Sequence, residues 1–447
     1  MVVDLEDVQG IILRGYKMPV ARHLGLTVWK PSAAREFLAG LGGPDPAVPS
    51  ITSAAPWAVK PDSCVNLGIT FPGLVALGVR SEHLASFPRE YIEGAAARAA
   101  KVGDVGAGAP DRWLPWLGGS GPHLLLSLFA QSVDALESMT KLLEQAWYTG
   151  CVETGRHDGA WLPTNTEHFG YADGLSQPTI EGVPLAGLPD SFPPKAPVGE
   201  FLLGYPSQHV DFSYPVPAPP ELGTNGSFAA FRVLEQDVDG FTAFLSDQAS
   251  RTGLSEELIA AKLCGRWRNG MPLALSPDTD TPNPPISSEA LNDFDYVGDE
   301  HGYRCPIGSH VRRMYPRGQR VVGDGGHLHR IVRRGIPYGP PYDPAHSRDG
   351  HARGLLGLFI GVSLCDQFEF LMSEWANGET FTAGLRGTRD PLLGDTPAGA
   401  GRFAIPSPEG TVVLDGFSPF VTTRGGAYCF LPSISAIRYL AALSAPR

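Results

Sequence analysis

HLLLSLFAQSVDALESMTKLLEQA at residues 123–146 and SFAAFRVLEQDVDGFTAFLSDQA at 227–249 carry the same pattern. Each opens with a strand-length apolar run, breaks at a polar stretch containing an acid, and continues with apolar residues at helix spacing. In the first copy Leu136, Met139, Leu142 and Leu143 are spaced to share one helix face. Asp134 and Asp237 stand where a helix N-cap belongs. LLGLFIGVSLCDQFEFLMSEW at 355–375 is a third copy, and HLGLTVW at 23–29 opens a more degenerate fourth. Four strand-then-helix units predict an α+β protein of two ferredoxin-like halves, each a mostly antiparallel sheet with flanking helices, as in dimeric α+β barrels.

The proline-rich span Gly187–Gly223, with FPPKAP and YPVPAPPELG, is the expected connection, giving an N-terminal half at 1–220 and a C-terminal half at 221–447. FLLGYP at 201–206 lies inside it and is apolar enough to pack, so no loose tether is expected. The 54 glycines and 42 prolines predict many turns and long, well-defined loops.

A net charge of −12 argues against a nucleic-acid partner, which would need a clustered positive surface. No apolar run of roughly 18 residues offers a membrane span. The start, MVVDLEDVQG, is acidic and has neither an apolar signal core nor a twin arginine. The six cysteines are scattered without a CxxC pair and read as buried free thiols. A cytoplasmic setting is the expectation.

Three segments could carry chemistry. In EHFGYADGLSQP (167–178), Gly170 and Gly174 flank Asp173 and permit tight turns or close approach by a flat group, although an Asp between glycines also makes an ordinary Asx-turn. In RCPIGSHVRRMYPR (304–317), His310 is a candidate metal or haem ligand, and Arg312, Arg313 and Arg317 suit a planar carboxylate partner. The same residues also read as a surface histidine beside solvated arginines. In HLHRIVRRGIPYG (327–339), the His-x-His spacing makes zinc a rival reading, weakened because Cys305-x4-His310 is not the usual paired spacing of a structural zinc site. Arg333 and Arg334 precede a turn that would fix them.

Together these segments resemble the dye-decolorizing peroxidase family. The resemblance rests on Gly170-Tyr171-Ala172-Asp173-Gly174, followed by Leu175 and Ser-Gln-Pro. It extends to DLEDVQGIILRGY (4–16), FLLGYP, NGSFAAFRVLEQDV (225–238), QFEF (367–370) and RGGAYCFLPSISAIRYL (424–440), so it spans nearly the whole chain and is closest to the longer subgroup. It implies two ferredoxin-like halves with haem b held mainly by the second. It further implies a peroxidase that uses hydrogen peroxide to oxidise phenols, dyes or other small organic reductants, and that could form a homo-oligomer.

By resemblance, His310 matches the axial ligand of the haem iron, while Asp173 and Arg333 match the catalytic pair on the peroxide side. Arg334 is the neighbour onto which that match would slip. Arg313 is placed at the cofactor, and Leu358 and Ile360 are expected to cap the peroxide side, with Ile360 leaving more room than the family's usual aromatic residue. Gly335 stands where some relatives have a distal asparagine. Glu369, or failing it Asp366, is expected to hold the second nitrogen of His310. Trp375 and Tyr338 are candidate electron relays, though each could simply be core. A haem-handling protein that releases iron and a specialised biosynthetic haem oxidase are the alternative functions.

Overall fold

The computed structural model describes residues 2–43, 48–119, 121–183, 194–287, 289–318, 327–347, 349–382 and 385–444. Its first half runs β1 (Val20–Val28), helix Pro31–Gly42, β2 (Ser63–Ile69), β3 (Leu124–Ala130), helix Val133–Trp147 and β4 (Cys151–Ala160). The second runs β5 (Ser227–Gln236), helix Val238–Thr252, β6 (Val332–Tyr338), β7 (Gly354–Gly361), the wide helical turns Leu364–Glu369 and Leu371–Ala376, the hairpin β8 (Gly401–Ser407) and β9 (Gly410–Phe417), and β10 (Val421–Leu431). All four sequence-read units are present. Asp237 caps its helix by accepting from the Gly240 amide, but Ser132 caps the earlier one and leaves Asp134 inside the first turn.

The strands form one sheet in the order β4-β1-β3-β2-β10-β5-β7-β6. Each half contributes its first strand between its third and fourth, the ferredoxin-like arrangement, and every pairing is antiparallel. β2 and β10 join the halves through a single paired position, Ile69 with Phe430. The end strands also meet: the rings of His157 on β4 and Tyr338 on β6 lie 4.4 Å apart. The sheet thus curls round on itself and has an inside and an outside.

Strand alternation sorts residues between these faces. Inside are Phe129, Phe231, Ile336, Leu356, Leu358 and Ile360, packed around the short helix Gly10–Leu13. Outside, Leu24, Leu67, Leu126 and Phe228 pack against the helices, each such side chain contributing roughly 1.5–3 kcal/mol. FLLGYP packs as expected, with Phe201 and Leu202 fully buried. Part of the proline-rich connection, residues 184–193, lies outside the described residues.

Polar groups inside the curl have dedicated partners. Gln9 donates to the Leu67 and Pro432 carbonyls, and His23 Nδ1 lies 2.9 Å from Ser127 Oγ. Burial, reinforced by His157, pushes His23 down to about 3. The unfolded chain therefore takes up a proton near pH 6.5 that the fold refuses, so this stabilisation is complete above pH 6.5 and lost as pH falls toward 3. Denaturant melts of His23→Gln should show a flatter decline in stability across that window, by a few kcal/mol.

Candidate functional site

The segment after β4 crosses onto β6. Glu167 sets its shape: the carboxylate accepts from the Phe169 and Tyr171 amides, each at 2.9 Å, and from Gln236. Gly170 and Gly174 adopt φ of +94° and +73°, backbone that glycine enters freely. Gln177 then grips Arg333 twice, its Nε2 donating to the Arg333 carbonyl at 2.9 Å and its Oε1 accepting from the Arg333 amide at 3.1 Å. The Arg333 guanidinium donates to the Ser176 carbonyl at 2.7 Å.

Asp173 is exposed at the turn, Oδ1 accepting from the Gly174 amide at 2.6 Å. Its Oδ2 lies 3.5 Å from where a Cβ would stand on Gly335. Gly335 is two residues from Arg333 on β6, so Asp173, Arg333 and Gly335 share the outer face. In the β6–β7 register, Gly335 faces Gly357 and Arg333 faces Phe359. Neither glycine adds a side chain next to the carboxylate and the guanidinium; the Phe359 ring lies over Gly357, so the open position is Gly335.

Arg334 points the other way. It donates to the carbonyls of Ile11 and Ile12 inside the curl, where burial pushes it down to about 10. The same alternation corrects the reading of Leu358 and Ile360. Both are buried in the interior cluster, paired in register with Arg334 and Val332, and neither reaches the outer face. The residues of β7 on the Arg333 face are Leu355, Gly357 and Phe359, and the room beside Asp173 comes from Gly335.

His310 begins a five-residue helix, His310–Met314, that packs on the turn Leu371–Ala376 following β7. Its Nδ1 lies 2.9 Å from Asp390 Oδ2. Asp390 is fully buried, and its Oδ1 accepts from the Leu392 and Leu393 amides at 2.9 Å. Burial raises this carboxyl, but His310 and the Leu393 amide outweigh it and hold it below the usual range. The imidazole is one-fifth exposed, and its Nε2 has no hydrogen-bond partner among the described residues.

Asp390, not Glu369, therefore orients His310. Glu369 is buried elsewhere, paired with Arg98 and with Lys101 at 3.0 Å, and accepting from the Tyr428 hydroxyl at 3.1 Å. The carbonyl of Asp366 bonds to His329. Arg313 also needs correcting as a cofactor contact. It is fully buried, and its Nη1 and Nη2 donate to Trp375 O at 2.9 Å and to Thr388 O and Oγ1 at 3.0 Å, while only Nε lacks a partner among the described residues, so the paired fork is spent within the protein. Arg312 and Arg317 are likewise engaged, with Asp299 and Asn292 respectively. His327 meets the Tyr315 hydroxyl while His329 stacks on Phe370 at 3.7 Å, so the His-x-His pair is divided between separate partners. Trp375 and Tyr338 are both buried.

An imidazole held on one nitrogen, and a carboxylate and a guanidinium beside the uncovered Gly335, suit a flat, metal-centred group. The chain has clear relatives. A dye-decolorizing peroxidase from Mycena epipterygia is 30 % identical over 486 residues, covering 98 % of this chain and 87 % of that protein. The chain belongs to the dye-decolorizing peroxidase family. Like the family's other members it is a haem peroxidase, an oxidoreductase that uses hydrogen peroxide. No protein-family model matches it. A dye-decolorizing peroxidase solved in complex with 2,6-dimethoxyphenol superposes with a TM-score of 0.83 at 28 % identity, over 99 % of this chain and all of that one. Another, with a heme pocket engineered for asymmetric sulfoxidation, also gives 0.83, at 27 % identity over 98 % of this chain and all of that one.

In this peroxidase the residue that sequence reading missed is Asp390. It stands 80 positions from His310 in GTRDPLLG, a turn-like string with no spacing signal tying it to a histidine. Gly357 was missed for a different reason, since a one-residue choice of strand face decides whether it or Leu358 meets the site.

Proposed function

We propose that His310 would hold the iron of haem b and that Asp173 and Arg333 act on peroxide, in an enzyme that oxidises phenols and dye-like compounds. The observation carrying this reading is the His310–Asp390 pair, with Nδ1 engaged and Nε2 unpartnered among the described residues. An imidazole bound to a buried carboxylate through Nδ1 presents a basic, correctly oriented Nε2 to a metal. Haem, held there by His310, would supply the redox-active iron for peroxide reduction.

The protein's own part is proton movement and charge. Asp173 takes the proton from one peroxide oxygen and delivers it to the other. Arg333, held by Ser176 and Gln177, stabilises the negative charge that builds on the departing oxygen. Gly335, with no side chain beside Asp173, widens the approach for an organic reductant. Six free cysteines, five of them buried, support a reducing intracellular compartment for the enzyme.

The decisive experiment supplies haem and hydrogen peroxide and measures turnover of a phenol and an anthraquinone dye. Turnover of both supports the reading, whereas iron release under reducing conditions without turnover would favour haem handling. Asp390→Asn tests the carrying observation. A weaker acceptor lowers imidazole basicity, so spectroelectrochemistry should show a more positive ferric/ferrous potential, and haem affinity or activity should fall about 10–100-fold.

A further inference from the structure

The outer face of the sheet continues past Gly357 to Arg232, its neighbour in the β5–β7 register. Arg232 is matched within the protein: it pairs with the buried Asp104 carboxylate, Nη1 to Oδ2 at 2.6 Å, and donates to Thr423 Oγ1 at 2.7 Å. Beside this row lies a cavity of about 290 Å³, walled by Phe359, Phe368, Met372 and Leu393, with Asp395 and Ala398 also lining it. Neither His310, Asp173 nor Arg333 lines it.

Two walls nevertheless tie it to the site. Phe359 stands opposite Arg333, and its ring covers Gly357, reaching 3.0 Å from where a Cβ would be. The Leu393 amide donates to Asp390, the carboxylate that holds His310.

Asp104 and Arg232 also line the cavity but are paired with each other, so Asp395 is the lining carboxylate with room for a further partner. Its amide is used by Asn377 Oδ1 at 2.6 Å, but its carboxylate has as its nearest ion-pair partner only Arg389, at 3.6 Å. Burial, partly offset by Arg389, raises its pKa above the usual range. The volume sits at the small end of pockets that bind organic ligands, which suits a single ring. Aromatic and thioether walls favour an aromatic ring, and a carboxylate with spare lone pairs favours an O–H or N–H on it.

We propose that this cavity binds a one-ring phenol or aniline, its ring against Phe359 and Phe368 and its O–H or N–H donating to Asp395. The proposal rests on the peroxidase reading for its chemistry. Each phenol gives up one electron to the oxidising equivalents derived from peroxide and its hydroxyl proton to the Asp395 carboxylate, which releases it to solvent before the next phenol, in balance with the proton taken up where water forms. Two phenols and one hydrogen peroxide yield two phenoxyl radicals and two waters.

The test is calorimetric titration of the haem-loaded enzyme with phenol and with anisole, which has no O–H. The parent should bind phenol saturably and more tightly than anisole. Asp395→Asn should weaken phenol by roughly threefold to tenfold and leave anisole unchanged, as expected for loss of a charge-assisted bond. Ala398→Trp, which fills the cavity from its lining, should abolish binding of both. The Soret band and cyanide affinity should stay at parent values in each variant. Absence of saturable phenol binding, or parent-like phenol binding in Ala398→Trp, overturns the proposal. If the parent takes up no haem, the peroxidase reading fails instead, and the same titration of haem-free protein still decides whether the cavity binds phenol.

Discussion

His310→Ala protein supplied with haem is expected to lack the Soret band and the ligand-field features of an imidazole-bound iron, and to lose peroxide turnover altogether. The argument is geometric. Asp390 holds Nδ1 of His310, and Nε2 has no hydrogen-bond partner among the described residues. The substitution also strands Asp390, which is fully buried and loses the cationic or N–H partner that lowers its pKa. Leaving a buried charged group without its partner costs about 3–5 kcal/mol, so the melting temperature should fall as well. His310→Ala, Asp390→Leu removes both members, and the thermal loss should shrink while the Soret band stays absent. Recovery of stability without recovery of the spectrum separates ligation from folding. A normal imidazole-ligated spectrum in His310→Ala would show that another residue holds the iron.

The second large effect concerns Asp173 and Arg333. With peroxide mixed rapidly against haem-loaded protein, Asp173→Asn should slow the peroxide-induced spectral change by roughly 10²–10⁴, the usual worth of a positioned acid–base group. Arg333→Leu should slow it by about 10²–10³, the scale for losing one preorganised charge donor. Cyanide binding should still report an accessible iron in both. Arg334→Leu is the informative control. Its guanidinium bonds to the Ile11 and Ile12 carbonyls on the opposite face, so that variant should lose stability while keeping its peroxide rate. Unchanged rates in Asp173→Asn and Arg333→Leu would remove both residues from the peroxide step.

Arg333 and Arg334 also show where linear reading stops. The strand-then-helix repeats were legible because the period of apolar residues is a local property, written within some twenty residues at a time. That was enough for two ferredoxin-like halves, and the glycines around Asp173 marked a turn that the backbone indeed makes with positive φ. Choosing a face of β7 needed the pairing register, and a register is a relation between strands. The family resemblance placed Leu358 and Ile360 at the site; pairing with β6 sends both inward and turns Gly357 and Phe359 outward.

Charged partners obeyed the same limit. Glu369, two residues into the QFEF motif, was a reasonable guess for the acid behind His310, but it answers to Arg98 and Lys101. Asp390 wins that place because the chain returns to His310 after 80 residues and two backbone amides fix its other oxygen. Arg313 sits in a basic run that looks free for a ligand, yet folding buries it against main-chain carbonyls.

From the sequence alone come the α+β halves, the turn that carries Asp173, and His310 as the residue able to meet a metal. These are set by local periodicity, backbone freedom and side-chain chemistry. Only the tertiary structure decided that Asp173 lies over Gly335, that Arg333 rather than Arg334 shares its face, and that Asp390 holds the imidazole. Each of those outcomes depends on contacts between segments far apart in the chain, and burial assigns them only once the sheet has closed.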